Sequence, residues 1–199
     1  VARARADAPL AAATLGRIVS SRDFEDFARA FTGIAKVAAA PVGGLHLTVA
    51  GEGGAAVVPG SALYRNLVEA LELRRVPGPP VRVDSYQPLP FRLAAKLLID
   101  PRFRPERVFA DATAALAAAF SFESQELGGD LDASTVIAVL QGVSGVLAVD
   151  LDALYLQGSP PGLASRLAAR RARFENGRIQ PAQLLVLDTA GVMLGSRTP

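Results

Sequence analysis

The sequence has no cysteine and no tryptophan, and only one histidine and one methionine in 199 residues. Without cysteine there is no disulfide scaffold, no thiol nucleophile, no redox switch and no thiolate-ligated metal. The single histidine, His46, has no second imidazole with which to share a metal. Three tyrosines and no tryptophan leave no basic surface interleaved with aromatics, the pattern on which nucleic-acid bases stack. No apolar run approaches the roughly 18 residues that a membrane-spanning helix needs. No signal-peptide pattern opens the chain. The first residue is Val1 rather than Met, and the chain is expected to be a fragment of a longer protein.

What remains is a globular composition, 50% hydrophobic and 20% charged, with a net charge of only +2. That length and composition suit one ordinary domain or two small ones with a buried core. Nineteen of the 21 cations are arginine; Lys36 and Lys96 are the only lysines.

Local signals order the chain. Ser20 or Ser21 can cap a helix with Asp23 in its first turn, where the helix dipole favours negative charge. Phe24, Phe27, Ala28 and Phe31 make its apolar face, and Gly33 ends it. Strands are expected at 34–39 and 45–50, then a glycine-rich loop from Gly51 to Gly60. Ser61 caps a helix with Leu63, Tyr64, Leu67, Val68 and Leu71 inward; Pro77, Pro79 and Pro80 stop it. Strands follow at 81–87 and 91–99, the second with Phe91, Leu93, Ala95, Leu97 and Ile99 on one face. Pro105 opens a helix whose stripe is Val108, Phe109, Ala112, Leu116, Ala119 and Phe120. Asp132 is expected to cap another, with Val136, Ile137 and Leu140 inward and Gly142 as a left-handed stop. The strand 146–155 is expected to show Leu147, Val149 and Leu151 on one face and Asp150 and Asp152 on the other. A short strand, 183–188, closes the chain.

The expected fold class is α+β: two small α/β layers, short sheets covered by helices, with extended N- and C-terminal segments. The expected division is an extended segment 1–19, subdomains 20–89 and 90–158, and an Arg-rich extension with a C-terminal strand, 159–199. Helix–glycine–strand occurs twice, at 31–37 and 141–146, and strand–helix twice, at 45–73 and 91–120, an echo compatible with a repeat.

Chemistry is sparse. His46, between two leucines of a strand, reads as a sheet-surface or rim residue; as a general base it would need an orienting acid and a nucleophile. Asp150 and Asp152 sit about 7 Å apart on one strand face, a spacing open to acid–base work or a hard cation, but without the glycine and distal glutamate of a calcium loop. The loop Ala50–Ala55 lacks both phosphate-cradle spacings and reads as a flexible tip. No catalytic, metal or cofactor-binding residue is assigned. The most unusual charge feature is Arg166, Arg170, Arg171, Arg173 and Arg178, opposed only by Glu175. It is either a solvated, partly helical segment or an anchor on an acidic partner, where guanidinium meets carboxylate bidentately; nucleic acid is a third reading.

Several stretches resemble the baseplate assembly proteins of the baseplate J family. They are Arg5–Pro9 leading to Ser21–Ala28 and Gly33-Ile34-Ala35; Val81–Pro88 followed by Phe91-Arg92-Leu93; Val136–Val143 through Asp150–Tyr155; and Pro181–Asp188. Their order and spacing carry the resemblance, which is to the C-terminal part of longer family proteins. It implies a structural role without catalysis or cofactors, as a wedge component of a contractile phage tail or related injection particle. It implies a six-fold baseplate in which wedges link hub, sheath and neighbouring wedges. The implied partners are other baseplate subunits (a second wedge copy, hub or spike, and sheath-proximal proteins), without nucleic acid or membrane insertion. Assembly would be cytoplasmic, in a particle that some systems release. The 1–15 and 159–180 segments are then expected to be arms that order on a neighbour. A small ligand-binding or regulatory α/β domain, with a pocket near the 51–60 loop, is the alternative; an enzyme built on His46 or on Asp150 and Asp152 is a third.

Overall fold

The computed structural model describes residues 18–197. The expected N-terminal extension, and the Arg5–Pro9 stretch with it, falls almost wholly outside them. The chain is α+β and groups into two compact units. The first holds the described chain up to Gln87 together with Arg170–Gln183; the second holds Pro88–Ala169 and the chain from Leu184 on.

In the first unit, helix α1 (Ser21–Ala30) begins where Ser20 Oγ accepts from the Asp23 amide and the Asp23 carboxylate accepts from the Ser20 amide. This reciprocal cap satisfies two orphan donors. Those bonds, the Ser20 amide first, hold the Asp23 carboxyl below its ordinary range. Phe24 and Ala28 are buried, with Phe27 and Phe31 packed beside them. Strand β1 (Ile34–Ala40) pairs antiparallel with β2 (Leu45–Gly51), and β2 pairs parallel with β3 (Val81–Ser85). The parallel step needs a crossover, supplied by α2 (Ala62–Arg74), which Ser61 caps and which buries Leu67 and Leu71. The order is β1-β2-β3. The Glu25 side chain accepts from the Ala39 amide at 2.7 Å and so occupies one donor of the β1 strand.

Gly44 makes the tightest turn of this unit. Its φ is +105°, and a Cβ there would lie 2.6 Å from the Pro80 carbonyl oxygen. That oxygen accepts from the Leu45 amide at 3.0 Å, so the backbone has no room to yield. Gly44→Ala is expected to remove about 2–4 kcal/mol of stability, combining left-handed strain with overpacking. Urea denaturation reads it; a loss below about 1 kcal/mol would contradict the packing described.

In the second unit, β4 (Gln87–Ile99) is central, with β10 (Gln183–Ser196) on one side and β6 (Val146–Leu156) antiparallel on the other. The alternation read at 91–99 is present: Phe91, Leu93, Ala95 and Leu97 are buried, against Val108, Ala112 and Leu116 of α3 (Pro105–Ala119) and Val136 and Leu140 of α4 (Ala133–Gln141). Phe91 and Phe120 meet edge to face at 5.7 Å.

Several local expectations change. The final strand runs on to Ser196 rather than ending at 188. In the β4–β6 pairing the register slips between Ala94 and Ala95 and again between Leu98 and Ile99 of β4, each time leaving an extra residue on β6. Those bulges break a simple alternation: Leu147 turns outward, 54% exposed, while Leu151 and Leu154 point in. Ile137 also lies at the surface rather than inward. Gly142 caps the helix at φ −73°, so it is not left-handed; the left-handed glycine is Gly145, at φ +91°, in the turn that leads into β6. Gly33, at φ +90°, takes the same conformation between α1 and β1. The echo between the two units is therefore real at these helix–glycine–strand joints, but the sheets are connected differently and form no full repeat.

The 159–180 stretch is not an unstructured arm and contains no helix. Leu154 exchanges backbone bonds with Gly162 and Ala164, and Ser165 accepts from Ala133. β7 (Arg166–Leu167) pairs with β5 (Leu131–Asp132). β8 (Arg173–Glu175) and β9 (Arg178–Gln180) form a hairpin.

Candidate functional site

The hairpin carries two of the five clustered arginines, Arg173 and Arg178, and Arg170 and Arg171 lie just before it. Its loop is Asn176-Gly177, with φ +53° and +74°. Both central residues in the left-handed region is the signature of a type I′ turn, whose twist matches the flanking strands. Cross-strand pairs are Arg173 with Gln180, Phe174 with Ile179, and Glu175 with Arg178. Side chains alternate across a strand, so one face is Phe174 and Ile179, and the other is Arg173, Glu175, Arg178 and Gln180. Ile179 lies over Gly43, whose missing side chain makes room for it. Phe174 stands 67% exposed.

The five arginines do not act as one patch. Arg166 belongs to the second unit and is committed there: its Nε donates to Asp132 at 2.7 Å, and Asp130 lies 3.7 Å from it. The Asp132 bond, then the two carboxylate charges, raises its pKa. Asp132 thus opens α4 by position but spends its carboxylate on Arg166, and makes no side-chain cap. Arg170, Arg171, Arg173 and Arg178 sit in the first unit. Glu175 accepts from Arg170 at 3.2 Å and from Arg173 at 2.6 Å. Among the described residues, Arg171 and Arg178 enter no ion pair, and Arg173 Nε and Nη1 are buried without a hydrogen-bond partner.

His46 is not a rim residue. It is fully buried, as is Thr48 two residues on. The orienting acid is present: His46 Nε2 lies 2.8 Å from Asp84, and Nδ1 lies 3.5 Å from Thr48 Oγ1. Thr48 Oγ1 in turn accepts from the Ala182 amide at 2.9 Å. With Nε2–H donating to Asp84, the Thr48 hydroxyl can turn its hydrogen to Nδ1, and every member is satisfied. The hydroxyl in line with the imidazole, that of Thr48, is as fully buried as the ring, so neither group has a solvent face. The network fastens β2 to β3 and to the segment that follows the hairpin.

The other candidates are occupied within the fold. Asp152 lies 3.4 Å from Lys96 and Asp150 lies 3.9 Å from Arg197. Among the described residues no three acidic or histidine side chains converge on a metal position. Asp100 is drawn down to a pKa of about 2 by side-chain and backbone hydrogen bonds from Arg102, an ion pair that fastens the turn after β4. In the glycine loop, the Gly51 amide donates to Ala55, Glu52 to Gly33 and Ala55 to Glu52, so it turns in on itself rather than forming an anion cradle. A groove of about 380 Å³ in the first unit is lined by Ile18, Phe24, Leu45, Val76, Pro79 and Val81 among others, and by no residue of the 51–60 loop. Among the described residues no helix is long and apolar enough to cross a membrane.

Among the described residues the fold thus holds two three-stranded sheets, each with helices packed on it, and two short two-stranded ones. Residues 16–84 match the family model of the Baseplate J-like central domain, in agreement with the resemblance read from the sequence. No curated protein matches the sequence. Among solved structures, a chain in the cryo-EM structure of the anti-feeding prophage (AFP) baseplate, 6-fold symmetrised, is similar over 89% of this chain, with a TM-score of 0.67 and 13% identity. The chain spans 39% of that protein's length. At that identity the likeness is one of fold.

Proposed function

We propose that this chain is part of a structural wedge component in the baseplate of a contractile, phage-tail-like injection particle. In this reading it helps to assemble a six-fold baseplate and links hub, sheath and neighbouring wedges. It acts by protein–protein contact, not by turnover. It is built into the particle in the cytoplasm and leaves the cell only with the particle. The observation that carries the reading is the family match over 16–84, joined to a baseplate-protein fold over 89% of the chain. The closed environment of His46, and the cations on Asp150 and Asp152, fit a scaffold better than a catalyst.

Arg170, Arg171, Arg173 and Arg178 are the contact residues in this reading, while Arg166 already has partners within the chain. Reversing Arg170 and Arg171 together to glutamate is expected to lower particle yield at least about tenfold, since like charges at an interface oppose docking, and to leave the fold intact. Particle counts by electron microscopy read the first, and thermal unfolding of the purified variant the second. Normal yield from a folded double variant would remove these arginines from assembly.

A further inference from the structure

We infer that the β8–β9 hairpin is a docking finger that enters a cleft on a different polypeptide, seating Phe174 against an apolar wall while the arginines of its other face meet carboxylates. The inference rests on the protein-contact reading above and narrows it to one element, one anchor and one partner chemistry. A phenylalanine 67% exposed at the tip region of a rigid two-residue-loop hairpin leaves most of its ring in water. Its cross-strand partner Ile179 is held against Gly43, so the ring is presented from a fixed base. Aromatic side chains and arginine are the residues enriched where protein interfaces hold most of their binding energy. Arg171 and Arg178 lack carboxylates of their own, and Glu175 already accepts from both Arg170 and Arg173. The hairpin and the two arginines before it therefore present exposed Phe174 on one face and, on the other, positive charge that Glu175 compensates only in part.

Charge decides the partner. A second copy of this chain is a poor acceptor, because most of its described carboxylates are already held within their own unit, by caps, by histidine or by arginine and lysine. Of the remainder, Glu52, Glu69, Glu106 and Glu126 lie on four separate stretches, not as a rim. A nucleic acid is disfavoured by Glu175, which stands on the same face as Arg173 and Arg178 and would repel phosphate. An acidic protein surface fits both features.

The test places the photo-crosslinking residue p-benzoylphenylalanine at position 174 in the full chain, in the cells that produce it, and identifies the adducts by mass spectrometry. The expected result is one dominant adduct with a different polypeptide, at a site flanked by several Asp or Glu residues. Adding R171E and R178E should lower its yield about tenfold, whereas the charge reversal R107E on the other unit should leave it unchanged. No adduct, an adduct with a second copy or with nucleic acid, or a yield indifferent to R171E/R178E would overturn the inference. Immunoblotting of purified particles separates the two readings. An acidic adduct from a chain absent from particles refutes the baseplate role and keeps the finger; a chain present in particles without that adduct does the reverse.

Discussion

Replacing Phe91 by alanine is expected to lower the stability of the second unit by about 3–5 kcal/mol, the cost typical of truncating a buried aromatic. Phe91 is fully buried in the middle of β4, the strand that pairs on both sides. Its ring meets Phe120 edge to face, at the end of α3, so the truncation removes apolar burial and a ring–ring contact together. The surrounding leucines come from β4, β6, α3, α4 and β10, and all would have to move to fill the cavity. Native-state hydrogen exchange reads the loss unit by unit. Amides of β4, β6 and α3 should exchange about a hundredfold faster or more in their slowest class. A change of less than about fivefold would mean that this core is not packed as described.

The second large effect is at His46. His46→Ala should cost about 2–4 kcal/mol, from a cavity at a fully buried site and a lost charge-assisted hydrogen bond. Thr48→Val keeps the shape but leaves the Ala182 amide without its acceptor, and is expected to cost about 1–3 kcal/mol. Because His46, Thr48 and Ala182 form one chain of bonds, the double variant should cost less than the two single losses together. Urea denaturation of the four proteins completes the cycle. A neutral His46→Ala would show that the imidazole does not hold this part of the fold.

The same residues show where the sequence could be read. Helix starts were legible because the capping chemistry is local: Ser20 with Asp23, Ser61, and Pro105 at the first turn. The 91–99 alternation was legible because β4 has one core face lined by large side chains. His46 was misread because β2 is buried on both faces, and part of the second cover arrives with Ala182, far along the chain. A polar residue between leucines then looks like a surface position. Asp132 was misread for a related reason: its partner Arg166 lies 34 residues away. The bulges that turn Leu147 outward depend on pairing with β4, which no local pattern reveals. The hairpin was different, since its signal was present. Asn176-Gly177 between Phe174-Glu175 and Arg178-Ile179 is a strong two-residue turn signal, hidden only by the arginines around it. Recognising it would have separated Arg166 from the rest of the cluster.

The central claim is that this chain serves as baseplate structure, and electron microscopy of cell lysates with and without its gene tests that most directly. The account predicts sheathed, tail-like particles in the presence of the gene, and their loss or the loss of their baseplates on its deletion. Intact particles after deletion, or no particles in either lysate, would contradict it.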